Sequence, residues 1–174
     1  MNKRGFTIIE LLIAITIMSI LILLGVVNLS GAQANGRDSE RKTDIETISR
    51  YLETYYSSGS GAVDDLNIGV YPTTTQLSGN ESTILRDIDD RALKAPGQSG
   101  ISLVMAATSS DQTPTIDEYI YQPIQINTDG TYSICNSSNP VCRRYNLYYR
   151  LEVAKTSSDC PAPGYVCKIS SKNQ

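Results

Sequence analysis

The sequence predicts an α+β fold in which one long N-terminal α-helix packs on a small antiparallel β-sheet. Three observations support this fold class. Residues 6–27 are almost entirely apolar, residues 37–56 carry apolar residues at helical spacing, and residues 118–170 hold Tyr- and Ile-rich runs separated by turn residues. A long helix followed by a series of strands is typical of an α+β domain.

The composition excludes several functional classes. The chain has 174 residues, which fits one domain with an appendage. It contains no His, and this excludes Ser-His-Asp and Cys-His catalysis, His-ligated metal sites and imidazole pH switches. The charged residues, 15 basic and 18 acidic, argue against nucleic-acid binding through bulk charge.

The apolar run at residues 6–27 contains a single charged residue, Glu10. At ~1.5 Å per residue it forms a helix about 33 Å long, which is enough to cross the hydrocarbon core of a bilayer. Lys3 and Arg4 precede the run, so the positive-inside rule places the N-terminus in the cytoplasm and the rest of the chain outside.

A secretory signal peptide and a plain N-terminal anchor are the alternatives for this run. Ala32 and Ala34 form a small-residue cleavage pattern, but the apolar run is longer than the core of a signal peptide. Glu10 costs about 2.5–3.5 kcal/mol if it lies at the centre of a membrane helix. Its side chain either reaches the membrane interface or pairs with a cation. Cutting the chain after Gly5 would create such a cation, the α-amino group of Phe6.

Residues 3–12, KRGFTIIELL, resemble the class III signal of type IV pilins and type II secretion pseudopilins. In that family a membrane peptidase cuts after the Gly and methylates the new Phe amine. The resemblance implies cleavage after Gly5, N-methylation of Phe6, and neutralisation of a neighbouring subunit's terminal amine by Glu10 during assembly. Many pilins carry a helix-kinking Pro at the position of Val27, where this chain departs from the pattern.

The resemblance also implies partners and a location. The precursor would cross the cytoplasmic membrane once, and the mature subunit would lie in an extracellular filament, a homopolymer built with other pilin subunits. A prepilin peptidase, a membrane assembly platform and its ATPase are the further partners that the family implies. No cofactor is expected. The implied organisation has five parts: a leader at 1–5, the membrane and assembly half of the helix at 6–30, its amphipathic half at 31–56, an irregular region at 57–117, and strands with cysteine loops at 118–174.

The amphipathic half of the helix carries an apolar stripe and a charged face. The stripe consists of Ile45, Ile48, Leu52 and Tyr55. The charged face, expected to be solvated, consists of Lys42, Glu46, Arg50 and Glu53. Because Arg37 and Arg41 fall on the apolar side, the stripe is expected to begin only near Ile45. A continuous helix from Phe6 to Tyr56 would be about 76 Å long at ~1.5 Å per residue.

The middle region is predicted to be irregular. Ser and Gly at 57–61 end the helix, and a short helix is expected over 82–95. The sequence YPTT at 71–74 resembles the major pseudopilin and related monoderm pilin subunits, and Tyr71 is expected to pack on the long helix. The acidic residues of this region are weak calcium candidates without a regular loop spacing, and solvated surface charge is the preferred interpretation. These residues are Asp64, Asp65, Asp87, Asp89 and Asp90.

The C-terminal third predicts four strands and two disulfides. The strands are expected at 118–126, 131–135, 143–154 and 164–170, with Asp129-Gly130 as a hairpin signal. An even number of cysteines outside the membrane predicts two disulfides, for which three connectivities exist. Equal sequence spacing favours Cys135 with Cys142 and Cys160 with Cys167. A zinc site is disfavoured because CxxC pairs are absent.

These observations favour a structural subunit of a type IV pilus-like surface filament and not an enzyme, since no nucleotide-binding or hydrolase motif occurs. A pseudopilin of a secretion system and a minor pilin are the alternatives within this class. A membrane-anchored extracellular binding module or enzyme is the alternative from another class. DNA contact by Arg143, Arg144 and Arg150 is disfavoured, because removal of Lys3 and Arg4 lowers the basic count from 15 to 13 and makes the net charge −5.

Overall fold

The computed structural model describes residues 6–59 and 68–173. The leader at 1–5, with Gly5, lies outside the described residues, as do Asp64 and Asp65. The chain divides into two compact units, Met1–Gly36 and Arg37–Gln174. The second unit is called the head below.

The long helix α1 spans Ile8–Ser58, so the predicted N-terminal helix is confirmed. In the first unit the large apolar side chains from Phe6 to Leu24 are exposed. Their 18-residue window has a mean hydropathy of 2.7, which makes α1 the one described helix that is long and apolar enough to cross a membrane. Length and composition are the whole basis of that assignment.

The head contains a five-stranded mixed sheet. The strands are β1 at Leu103–Met105, β2 at Tyr119–Ile126, β3 at Tyr132–Ile134, β4 at Arg144–Arg150 and β5 at Val166–Ser170. The order is β1-β2-β4-β5, and β3 pairs with β2. The last four strands match the predicted ones and pair antiparallel.

The sheet also has a fifth strand that was not predicted, and this strand, β1, pairs parallel with β2. This strand is only three residues long and lies in the region predicted to be irregular. The chain leaves β1, crosses the outer face of the sheet and returns to the same end before it enters β2. A parallel neighbour is what such a crossover produces.

The core lies between α1 and the inner face of the sheet. The predicted stripe of Ile45, Ile48, Leu52 and Tyr55 is buried. Opposite it lie Tyr and Leu side chains. Three of the buried Tyr hydroxyls form hydrogen bonds with α1 or with the loop that precedes α2, as burial of a hydroxyl requires. Tyr119 donates to Asp44 at 2.8 Å, Tyr121 donates to the Pro72 carbonyl at 2.7 Å, and Tyr145 shares a hydrogen bond with Ser49 at 2.8 Å.

The region between α1 and β1 contains short turns of helix. Helix α2 spans Thr74–Leu77 and was not predicted, although Thr73 and Gln76 form a capping box at its start. The single helix predicted over 82–95 is wrong: α3 spans Glu81–Ile84 and a 3₁₀ turn spans Asp90–Leu93. Asp87 lies between them with a φ of 65°, a left-handed conformation that a continuing helix does not allow.

Tyr71 packs on α1, as the sequence predicted. It is fully buried, and its ring centroid lies 4.7 Å from the ring centroid of Tyr56 on the helix. Its hydroxyl donates to the Glu53 carboxylate at 2.9 Å. This carboxylate also accepts from the hydroxyl of Tyr145, the amide of Lys172 and the side chain of Asn173. The expectation that Glu53 belongs to a solvated face is therefore wrong, since it joins α1 to three other parts of the head.

An ionic cluster continues the buried stripe beyond Ile45. Asp38 and Arg41 are each 1% exposed, and Arg41 contacts Asp38 at 3.0 Å and Glu152 at 2.9 Å. Asp38 also accepts the backbone amides of Glu152 and Val153 at 2.8 and 2.9 Å. Hydrogen bonds from Arg37, and then from Arg41, lower the pKa of Glu152 to about 2. Of the two arginines on the apolar side of α1, Arg41 is buried and Arg37 forms an ion pair with Glu152. The buried face of α1 therefore begins earlier than predicted.

Asp38→Ala removes an acceptor from this cluster and leaves the buried Arg41 and two amides without it. We expect the free energy of unfolding of the head to fall by about 3–5 kcal/mol, as for other broken buried ion pairs. The measurement is urea denaturation of the full chain in detergent micelles, followed by near-UV circular dichroism of the Tyr side chains. Glu40→Ala, exposed on the same helix, is the control and should change stability by less than about 0.5 kcal/mol. Equal losses in both variants would contradict this role.

Asp44 gives the head a defined pH dependence. Burial raises the pKa of Asp44 to about 6, and the hydrogen bond from Tyr119 opposes the rise. Because the folded state binds this proton more tightly than the unfolded state, the contribution is complete below about pH 4 and is lost as the pH rises to about 6. Between pH 4 and pH 7, wild type should lose about 1–2 kcal/mol relative to Asp44→Asn, which keeps an acceptor for Tyr119. A difference that does not change with pH would refute this assignment.

Candidate processing and assembly site

The first turn of α1 is a capping box made by Thr7 and Glu10. Thr7 directly precedes the first helical residue, and Glu10 is the third residue of the helix. The Glu10 carboxylate accepts the Thr7 amide at 2.9 Å and the Thr7 hydroxyl at 2.7 Å. The Glu10 amide donates back to the Thr7 hydroxyl at 3.4 Å. This reciprocal pattern satisfies amides that a helix start otherwise leaves unpaired.

The capping box changes the interpretation of Glu10. From the sequence, its carboxylate was expected either to reach the membrane interface or to pair with a cation, the amine of a cleaved Phe6. In the structure it has two donors from Thr7, and it lies at the helix end where the dipole favours a negative charge. The signal for this cap, Thr followed three residues later by Glu, was present in the sequence and was missed.

Phe6 lies immediately before the cap and is 84% exposed. The amide of the next residue, Thr7, already contacts Glu10. A free α-amino group on Phe6 would therefore be one residue away from an amide that touches the carboxylate. The structure places Phe6 and Glu10 at one end of the helix, whereas Gly5 lies outside the described residues.

The surface of α1 that follows is apolar on every side. The large side chains from Ile8 to Leu24 are exposed, and so is Leu29. Two hydroxyls in this stretch are satisfied within the helix, because Thr16 donates to the Ile13 carbonyl at 2.8 Å and Ser19 to the Ile15 carbonyl at 2.7 Å. A helix with satisfied polar groups and an apolar surface all round suits lipid or other apolar helices.

The cysteines of the head are in two different states. Cys160 and Cys167 form a disulfide. Cys135 and Cys142 are buried free thiols, and the predicted bond between them is not formed in the structure. A hydrogen bond between the two thiols, together with burial, raises the pKa of Cys142. The two sulfur atoms are therefore neighbours, as a bond between them requires.

The weak calcium candidates do not form a cluster. Asp89 accepts the Arg91 amide at 2.9 Å and caps the 3₁₀ turn, while Asp87 lies 3.9 Å from Arg86 at the surface. Asp90 is exposed. Throughout residues 6–59 and 68–173, no three Cys, Asp or Glu side chains are close enough together to hold a metal ion.

Comparison with known proteins identifies the N-terminal segment. A family model described as the prokaryotic N-terminal methylation motif matches residues 1–26. No curated protein and no solved structure matches the chain. The match confirms the resemblance of residues 3–12 to the class III signal, so this N-terminal segment is similar to that of type IV pilins. It covers Phe6, Glu10 and most of the apolar helix surface, and it does not reach the head.

We expect Cys135 and Cys142 to be joined in the protein exposed outside the cell, where a thiol oxidant can accept two electrons and two protons from the neighbouring thiols. Non-reducing peptide mapping of surface material should yield one linked peptide pair for Cys135 with Cys142 and one for Cys160 with Cys167. Thiols of Cys135 and Cys142 that react with an alkylating reagent only after unfolding, without reduction, would refute this pairing. A link from Cys135 to Cys160 would also refute it.

Proposed function

We propose that this chain is the precursor of a structural subunit of a type IV pilus-like surface filament. The leader is removed after Gly5, Phe6 is N-methylated, and the subunit polymerises through its N-terminal helix. The observation that carries this proposal is the methylation motif at residues 1–26, which includes a helical stretch, Ile8 to Leu24, whose large apolar side chains are exposed. Either lipid or other copies of the helix must cover such an apolar surface to keep it out of water.

Before assembly, lipid covers the apolar part of α1. Lys3 and Arg4 keep the N-terminus in the cytoplasm, so the cleavage point faces a peptidase at the cytoplasmic side of the membrane. The head then lies outside, which agrees with its disulfide. The class III signal implies a prepilin peptidase, an assembly platform and its ATPase as partners.

During assembly, neighbouring helices replace lipid around the apolar surface. Glu10 is the one charged residue between Phe6 and Val27, and the new Phe6 amine is the opposite charge created by cleavage. In an apolar environment both charges are costly unless they are paired. The pairing of Glu10 with a Phe6 amine therefore favours a subunit that is packed at the correct height along its neighbour.

A pseudopilin of a secretion system is the second candidate, because YPTT at 71–74 resembles the major pseudopilin as well as monoderm pilins. A pseudopilin or a minor pilin would undergo the same processing. Abundance in sheared surface filaments separates a major pilin from both. A role in motility, adhesion or secretion is to be assigned by experiments on the assembled filament.

The proposal is tested by mass spectrometry of the N-terminal peptide in sheared surface material. The expected peptide begins at Phe6 and carries one methyl group on its amine. A peptide that begins at Met1 and occurs only in the membrane fraction would refute the filament. It would instead favour a membrane-anchored binding module or enzyme.

The charge of Glu10 and its cap can be separated by two substitutions. Glu10→Ala removes both. Glu10→Gln removes only the charge, because Gln can replace Glu as the hydrogen-bond acceptor of a capping box. If pairing with the amine drives assembly, both variants should lower the yield of sheared filaments about tenfold or more, with the subunit still processed and in the membrane.

Glu40→Ala, an exposed glutamate on the same helix, is the control and should give the yield of wild type. Normal yield from Glu10→Gln would show that the cap, and not the charge, is what assembly needs. Normal yield from Glu10→Ala as well would exclude the site from assembly.

A further inference from the structure

A groove with three basic side chains runs along one edge of the head. Two adjacent cavities of about 290 and 380 Å³ share Lys172, which follows β5 at the end of the sheet. Arg50 on α1 lines the first cavity and Arg143 lines the second. Within the described residues, none of these three side chains forms an ion pair. We call Arg50, Arg143 and Lys172 the basic groove.

The nearby carboxylates do not neutralise the basic groove. Glu53 is bonded to two residues that line the groove, but its carboxylate is occupied by four hydrogen bonds, including those from the Lys172 amide and the Asn173 side chain. These bonds hold the end of the chain in place beside α1. Glu46 lines the first cavity, and its exposed ion pair with Lys42 at 3.9 Å is weak, so this carboxylate offsets one of the three positive charges. The groove is therefore a positively charged surface on a chain whose net charge is negative.

The opposite edge of the head carries an exposed acidic segment, Asp87, Asp89 and Asp90. Hydrogen bonds from Ser102 to Leu93 and from Ala95 to Ser102 tie the turn after this segment to the start of β1. β1 and β5 are the two edges of the strand order. The segment also meets α1 on its other flank, where the Tyr51 hydroxyl donates to the Asp87 carbonyl at 2.9 Å.

The ion pair of the acidic segment within its own chain is weak. Arg86 lies 3.9 Å from Asp87, and the two side chains are 71% and 88% exposed. Arg91 follows the three aspartates, and Asp89 accepts its backbone amide. Within the described residues the Arg91 guanidinium forms no ion pair with them, so the segment has three carboxylates against two arginines. Exposed pairs of this kind contribute about 0–1 kcal/mol, so the carboxylates remain able to contact another molecule.

We propose that the basic groove of one subunit receives the acidic segment of the next subunit in the filament. This inference rests on the proposed function. Two different surfaces that complement each other on opposite edges form a heterologous contact, and such contacts repeat without closing when the rotation between copies does not return to the start. A filament is the product of that geometry. Opposite potentials on the two edges also select one orientation of the incoming subunit.

A second copy is favoured over a nucleic acid or another polyanion. Mature subunits carry a net charge of −5, which repels both a polyanion and a second copy. A polyanion is negative along its whole length, whereas a second copy can present one acidic segment to the three cations of the groove and keep its other charges away from the contact. The complementary acidic surface is present on every copy of the chain. In a homopolymer each subunit then supplies both halves of the contact.

The test is charge reversal in the full chain, made in cells that assemble the wild-type protein. One variant combines Arg143→Glu with Lys172→Glu, the second combines Asp89→Lys with Asp90→Lys, and the third carries all four changes. The control is Lys155→Glu, which is exposed and lies outside both surfaces. The readouts are the yield of sheared filaments, the amount of subunit in the membrane, and N-terminal processing.

Each two-site reversal should lower filament yield about tenfold or more, with processing and membrane level unchanged. The four-site variant should recover to within about threefold of wild type, because it restores opposite charges across the contact and shows that the reversed heads still fold. The control should assemble as wild type does. Normal yield from both reversals, or no recovery in the four-site variant, would overturn the contact.

Two further results separate this inference from its premise. If wild type itself gives no sheared filaments, the proposed function fails and the contact fails with it. The other result requires that wild type forms filaments and that the variant with Arg143→Glu and Lys172→Glu also assembles normally. If the full chain of this variant, in detergent, is no longer retained on heparin, the groove binds a polyanion. That result would overturn the contact between copies and leave the filament proposal standing.

Discussion

The apolar surface of α1 is the constraint on which the rest of the molecule depends. From Ile8 to Leu24 the helix exposes large apolar side chains, and water is a poor solvent for such a surface. Any charge in this stretch is costly unless it is paired, and the Thr7 cap gives the Glu10 carboxylate two hydrogen bonds but no opposite charge. The helix start is thus hydrogen-bonded within the chain, whereas the apolar surface of the helix is exposed. This difference is the basis of the proposed insertion into lipid and of the proposed assembly.

In the head, α1 packs against the sheet and uses polar contacts as well as apolar ones. Its part of α1 buries not only aliphatic side chains but also Asp38, Arg41 and Asp44, and it half-buries Glu53. Each of the four has partners on the sheet or on the loops around it. Since such polar contacts are directional, they align α1 with the strands more narrowly than apolar packing alone would do. The surfaces at the two edges of the sheet are therefore held in a defined relation within the head.

The sequence predicted those features that follow from a regular pattern. The long helix, the four antiparallel strands and the processing motif each repeat a spacing or a known string over many residues. β1 and α2 were missed because elements of three or four residues carry no periodicity, whereas the equally short β3 was found through its hairpin signal, Asp129-Gly130. The roles of Arg41 and Glu53 were missed because their partners are distant in sequence, such as Glu152 and Asn173. A helical wheel shows which way a side chain points, but it does not show what another part of the chain brings to it.

The two contacts proposed for the filament differ in the medium that surrounds them. A Glu10 carboxylate paired with a Phe6 amine would lie among apolar helices, where salt screens the pair little and an unpaired charge costs several kcal/mol. The contact between the basic groove and the acidic segment would lie at the surface, where a Debye length of about 10 Å at 0.1 M salt weakens it. The first contact is suited to hold subunits together once they leave the membrane. The second is suited to orient heads as they approach, because surface charge acts mainly on encounter and alignment.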